Sequence, residues 1–161
     1  MIKKFNLLFV TSFNIGKIKY APGTFASLFT CIFFYFLTDI LNLTIILFFT
    51  FLIFLYSLIA INSAFESFES DDPPEIVVDE VVGQLLPLLA IPIYETLYPA
   101  PKIQYCIAAF LFFRLFDIWK PFPINYIDKN MKGSLGIMLD DIVAGIYTII
   151  IFVLVLFFIG A

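Results

Sequence analysis

Five apolar runs leave this chain little room to fold in water. They cover residues 25–37, 43–61, 81–97, 103–116 and 142–159. The second and fifth approach the ~20 residues that cross a bilayer as a helix. The first and fourth are shorter, and such runs cross with little tilt, thin the membrane locally or cross only in part. Pro87 and Pro92 interrupt the third run and are expected to kink it, because a proline nitrogen has no proton to donate. Charged residues make up 14% of the 161 and hydrophobic ones 62%, against ~25% charged in soluble domains. A soluble domain of this length cannot hide so much apolar surface, whereas lipid accepts it. The expected fold is an all-α polytopic membrane bundle of about five hydrophobic segments, one domain over residues 1–161.

Composition also removes several chemistries. There is no histidine, so imidazole nucleophiles, imidazole bases and most zinc sites are out. The net charge of −4 offers no basic surface for nucleic acid. Cys31 and Cys106 both sit inside apolar runs with no CxxC spacing and no Cys-(x)5-Arg loop, which makes them packing residues. Lys3 and Lys4 precede a short apolar stretch without a nearby small-residue cleavage site. That stretch reads as a retained interfacial segment with Phe5, Leu8, Phe9 and Phe13 toward lipid.

Lysines orient the bundle. Lys3, Lys4, Lys17 and Lys19 precede the first run, Lys120, Lys129 and Lys132 lie between the fourth and fifth, and the intervening far-side connections hold only Lys102. This positive-inside pattern puts the N-terminus in the cytoplasm. It also brings three clumps of acid to one face: Glu75 with Asp79 and Glu80, Asp117 between Arg114 and Lys120, and Asp140 with Asp141. Carboxylates beside membrane spans cost several kcal/mol to insert and point to function.

Each clump has its own logic. Asp79 and Glu80 are neighbours, diverge by ~100° on a helix, and so are expected to reach a hard cation from two sides or to divide ligation from proton transfer. Gly83, one turn on, admits a close neighbour. Arg114, Asp117 and Lys120 follow at steps of three and form one charged stripe, suited to a phosphate and a divalent metal. Asp140 and Asp141 open the fifth run with Gly145 one turn on. The competing interpretation of both acid pairs is N-terminal capping, and Glu75 fits it best. Thr24, after Ala21-Pro22-Gly23, is a plausible N-cap for the first span. Ser70-Asp71-Asp72-Pro73-Pro74 breaks any helix before Glu75, and Gly133-Ser134-Leu135-Gly136 reads as a flexible lead into Asp140. With no Asp-x-Asp motif, Walker loop or dinucleotide fingerprint, carboxylate-held Mg2+ acting on a phosphoryl group remains.

Four separated motifs then carry a resemblance. Ala21-Pro22-Gly23-Thr24, the stretch from Glu75 to Gly83 (EIVVDEVVG), that from Phe113 to Ile124 (FRLFDIWKPFPI) and that from Gly136 to Gly145 (GIMLDDIVAG) resemble phosphatidylglycerophosphatase A, in the family's order. The chain departs from the family pattern at Ala26 and at Ser134, where glycines are usual. The resemblance implies a bacterial inner-membrane, Mg2+-dependent lipid phosphatase with its active site toward the cytoplasm. The implied reaction converts phosphatidylglycerol phosphate to phosphatidylglycerol and inorganic phosphate. It implies Asp79, Asp117 and Asp141 as metal ligands, Asp140 in support and Glu80 as proton acceptor. Arg114, Lys120, Lys17 and Thr24 would contact the substrate. The alternatives are a small transporter or channel using carboxylates at span ends, or a structural subunit. The sequence leaves the oligomeric state open.

Overall fold

The computed structural model describes residues 2–68 and 73–160; Ser70, Asp71 and Asp72 of the expected break lie outside them. Among the described residues the fold is all helical. The elements are α1 (Ile2–Val10), α2 (Pro22–Leu37), α3 (Leu43–Ala64), α4 (Val78–Leu89), α5 (Ile91–Leu97), α6 (Lys102–Trp119), α7 (Ile124–Asn130) and α8 (Gly133–Gly160). Among the described residues, three stretches are long and apolar enough to cross a membrane: Leu43–Ser67, Val78–Leu97 and Gly133–Ile159. Their outer faces stay apolar, with Phe48, Phe51 and Ile59 of α3 and Leu154 and Phe158 of α8 exposed. Such continuous apolar exposure suits lipid.

Local chemistry sets several boundaries. Asn42 caps α3 by accepting the Ile45 N–H at 3.0 Å. α2 starts earlier than expected: Ala21, in the left-handed region, is its N-cap and Pro22 its first residue, so Thr24 is not the cap. The third run breaks at Ala90, between α4 and α5. Pro92 suits the first turn of α5, where a missing N–H costs nothing, while Pro87 stays inside α4. α8 begins at Gly133, so the Gly133–Gly136 stretch is its first turn rather than a flexible lead. Asp140 and Asp141 therefore sit two turns inside α8, beyond the reach of N-terminal capping.

α1 lies across the start of the bundle with Phe5 and Phe13 exposed. Its buried face differs from the expected one. Phe9 packs edge-on against Tyr56 at 4.8 Å, and Asn6 accepts the Tyr56 hydroxyl at 2.6 Å. The Val77 N–H bonds the Val10 carbonyl at 3.0 Å. A Cβ at Gly16 would overlap the Glu75 carbonyl, so the α1–α2 turn sits directly on the strand of chain leading into α4.

The tightest crossing joins α4 and α8. A Cβ at Gly83 would come within 2.7 Å of the Asp141 carbonyl, and one at Gly145 within 2.6 Å of the Gly83 carbonyl. Small residues let helices in a membrane approach this closely. Pro87 contributes: with no N–H, it cannot bond the Gly83 carbonyl four residues back. That released carbonyl faces the bare Cα of Gly145, the geometry of a weak Cα–H···O contact. Below the crossing, Tyr94, Tyr105 and Phe152 fill the far core, with Tyr94 and Phe152 ring centroids 4.4 Å apart.

Gly145→Val should drive α4 and α8 apart and cost ~1–3 kcal/mol, read as a lower melting temperature in detergent. An unchanged melting temperature would contradict the close crossing.

Candidate active site

Four helix ends meet at one end of the bundle. The starts of α2 and α4, the end of α6 and the second turn of α8 enclose a pocket of about 250 Å³ lined by Asp79, Glu80, Arg114, Asp117, Lys120, Asp140 and Asp141. Acids from all three clumps, up to 62 positions apart from Asp79 to Asp141, thus share one cavity. Pro22, Gly23, Pro73 and Ile76 complete its wall.

Asp79 and Glu80 occupy the first turn of α4, after Val77, which caps the helix without any side-chain bond. Their carboxylates approach one another although the residues step by ~100° around the helix. One oxygen each from Asp79, Glu80 and Asp141 lies within 4.8 Å of the others. The long Glu80 side chain reaches toward α2, where its carboxylate lies against the backbone of Gly23; a Cβ there would overlap it. The Gly83–Gly145 crossing brings Asp141 to the same place. Among the described residues, Asp79 Oδ1, Glu80 Oε2 and Asp141 Oδ1 are all buried without a hydrogen-bond partner.

The other two acids are engaged. Arg114 Nη1 lies 2.6 Å from Asp117 Oδ2, while Arg114 Nε is buried and bonds nothing. Lys120, which ends α6 in the left-handed conformation, bridges Asp128 at 2.5 Å and Asp140 at 2.9 Å. Burial works against the Lys120 ammonium, but the bonds to Asp128 and Asp140 outweigh it and hold Lys120 above the ordinary lysine range. The converging oxygens are therefore those of Asp79, Glu80 and Asp141, where the sequence pointed to Asp117 in place of Glu80.

Two expected substrate contacts lie elsewhere. Lys17 is exposed on the turn after α1, and Thr24 is half-buried on the first turn of α2; neither borders the pocket. Because α2 starts at Pro22, the residues turned to the cavity are Ala21, Pro22 and Gly23. Glu75 is likewise outside it. Ala26 and Ser134, the departures from the family pattern, are buried away from the cavity. Sequence reasoning missed Asp128, whose pairing with Lys120 spans the α6–α7 turn and follows no helical spacing.

An apolar helical bundle closed over a carboxylate pocket at one end defines an integral membrane protein with an acidic centre. Comparison with known proteins narrows the class. The phosphatidylglycerophosphatase A family matches residues 8–156. A Haemophilus influenzae phosphatidylglycerophosphatase A is 38% identical over 93% of this chain and 91% of its own length. The Escherichia coli phosphatidylglycerophosphatase A is 33% identical over 86% of this chain and 76% of its own. A Bacteroides thetaiotaomicron protein provisionally named a phosphatidylinositol-3-phosphatase is 38% identical over 96% and 95%. No solved structure matches. The chain belongs to the phosphatidylglycerophosphatase A family and is a phosphoric monoester hydrolase.

The Lys120–Asp140 pair is testable by a double-mutant cycle. With side chains 28% and 12% exposed, Lys120→Met should cost ~1–3 kcal/mol, less than a fully buried pair. Adding Asp140→Asn should recover part of it. Strictly additive effects in melting curves would contradict the coupling.

Proposed function

We propose that the chain is a Mg2+-dependent phosphatase that hydrolyses phosphatidylglycerol phosphate to phosphatidylglycerol and inorganic phosphate. The observation that carries this reading is the convergence of oxygens from Asp79, Glu80 and Asp141 within 4.8 Å, each carboxylate with a buried, unpartnered oxygen. Unpaired buried charge costs several kcal/mol, and an all-oxygen donor set matches a hard divalent cation. The names of the Haemophilus influenzae and Escherichia coli relatives support the substrate. The name of the Bacteroides relative points to an inositol lipid, and a phosphomonoester on a lipid headgroup is common to both.

The active site faces the cytoplasm of a bacterial inner membrane in this reading, and α2, α3, α4 with α5, α6 and α8 make five passes. Seven of the eight lysines lie at the pocket end, and Lys102 lies at the other, paired with Asp39. That asymmetry agrees with the positive-inside rule.

Asp79, Glu80 and Asp141 are the residues that would hold Mg2+. When bound, Mg2+ neutralises phosphoryl oxygens and makes a water more acidic. Arg114 stands beside Glu80 at the α2 wall, and its unpartnered Nε is available to a phosphate oxygen. Lys120 adds positive charge and fixes Asp140. Glu80 takes the proton of the attacking water: Asp117 and Asp140 are already paired with Arg114 and Lys120, whereas Glu80 keeps a buried oxygen that bonds nothing among the described residues. The water oxygen bonds to phosphorus as the bond to the glycerol oxygen breaks, in line. The leaving oxygen takes a proton from solvent and Glu80 returns its own to solvent, giving alcohol and inorganic phosphate.

Single substitutions Asp79→Asn, Glu80→Gln and Asp141→Asn should each lower phosphate release by ~100-fold or more. Mg2+ should raise the melting temperature of the native protein, by ~2.7 kcal/mol of stability at one hundred times its Kd, and leave Asp141→Asn unmoved. Near-normal turnover in all three variants would end the proposal.

A further inference from the structure

A second concavity lies outside the acidic pocket, on the lipid-facing side of the bundle between α2 and α6. Its volume is about 530 Å³. The floor is made by two small side chains, Cys31 and Cys106, only 6% and 3% exposed. The rims are Leu28 and Ile32 on α2 and Ile107 and Leu111 on α6, 41% to 60% exposed. No charged residue lines it. We infer that this groove holds one acyl chain of the lipid whose phosphate enters the acidic pocket. The inference rests on reading that pocket as a lipid-phosphate site.

Continuity is the first argument. The two helices that form the groove also deliver Gly23 and Arg114 to the pocket. Leu28 lies five residues past Gly23, a rise of ~7.5 Å, and Leu111 three residues before Arg114, a rise of ~4.5 Å. Length is the second. From Leu28 to Phe36 the groove runs ~12 Å along α2, close to one leaflet, which is half of the ~30 Å hydrocarbon core. The far end supplies a third. There Lys102 bonds the Tyr35 carbonyl at 2.8 Å, the Thr38 hydroxyl at 2.9 Å and Asp39 at 2.8 Å. This polar clamp joins the end of α2 to the start of α6. An apolar chain entering beside the pocket runs toward the clamp and stops short of it.

The groove acts by position. Lipid tails are already in an apolar medium, so lodging one against α2 and α6 yields no new hydrophobic transfer energy. It sets the depth and direction of the headgroup, where misplacement by ~1 Å can cost 100-fold in rate.

The test uses two photoreactive lipids with a diazirine on one acyl chain, phosphatidic acid and phosphatidylcholine, in detergent micelles. The phosphatidic acid probe should label residues 28–36 and 103–111 saturably and several-fold above the choline probe. Cys31→Phe, which fills the floor, and Ile107→Trp, on the exposed rim, should each lower that labelling. Ile107→Trp should also reduce the ratio of kcat/KM for long-chain over dibutyryl substrate by ~10-fold. Equal labelling by both headgroups means bulk lipid fills the groove and overturns the inference. Cross-links between two copies across α2 and α6 overturn it as well. Labelling needs no turnover, so the two ideas fail separately. Missing groove labelling in a protein that releases phosphate removes the groove alone, and retained labelling without phosphate release removes the pocket's assigned reaction alone.

Discussion

The contact between Gly83 and Gly145 governs the rest of the molecule. Either position with a side chain would push α4 and α8 apart, since a Cβ at Gly145 would lie 2.6 Å from the Gly83 carbonyl. Pro87 frees that carbonyl from the helix ladder at the level where α8 passes. The result is a crossing one turn below Asp79 and Glu80 and one turn from Asp141. Distances within the acidic trio follow from it. A larger residue at either glycine would carry Asp141 away from Asp79 and Glu80.

Electrostatics follows from the same crossing. Five carboxylates and two cations line the pocket. Arg114 pairs with Asp117 and Lys120 with Asp140, while Asp79, Glu80 and Asp141 are outside the ion pairs of the described residues and only Glu80 has Arg114 beside it. Like charges this close favour either protons or a metal. A phosphomonoester, itself anionic, enters only once that excess is offset. Function and stability therefore oppose each other here, as they do at many active sites. The helix crossing that builds the centre also concentrates its repulsion.

Much of this was legible in the chain. Apolar runs predict the helices because lipid demands internally satisfied backbone, and charges stranded at their ends mark the site because they are costly there. The acids Asp79, Glu80, Asp117, Asp140 and Asp141 do line one pocket. What stayed hidden depended on side-chain reach and on helix starts. Glu80 joins Asp79 and Asp141 through the reach of its side chain, which also lies against Gly23 of α2 and which a per-residue angle ignores. Thr24 does not border the pocket because Ala21 takes the left-handed cap and α2 begins a turn earlier than its apolar run. Capping competed with function at Asp140 and Asp141 because the start of α8, from Gly133, lies ahead of its apolar run.

The most direct test of the central claim is anomalous diffraction from crystals grown with Mn2+, a hard cation that takes the same oxygen ligands. The account predicts an anomalous peak bounded by Asp79, Glu80 and Asp141. A peak on the opposite end of the bundle near Asp39, or a pocket with its carboxylates bonded only to one another, would contradict it.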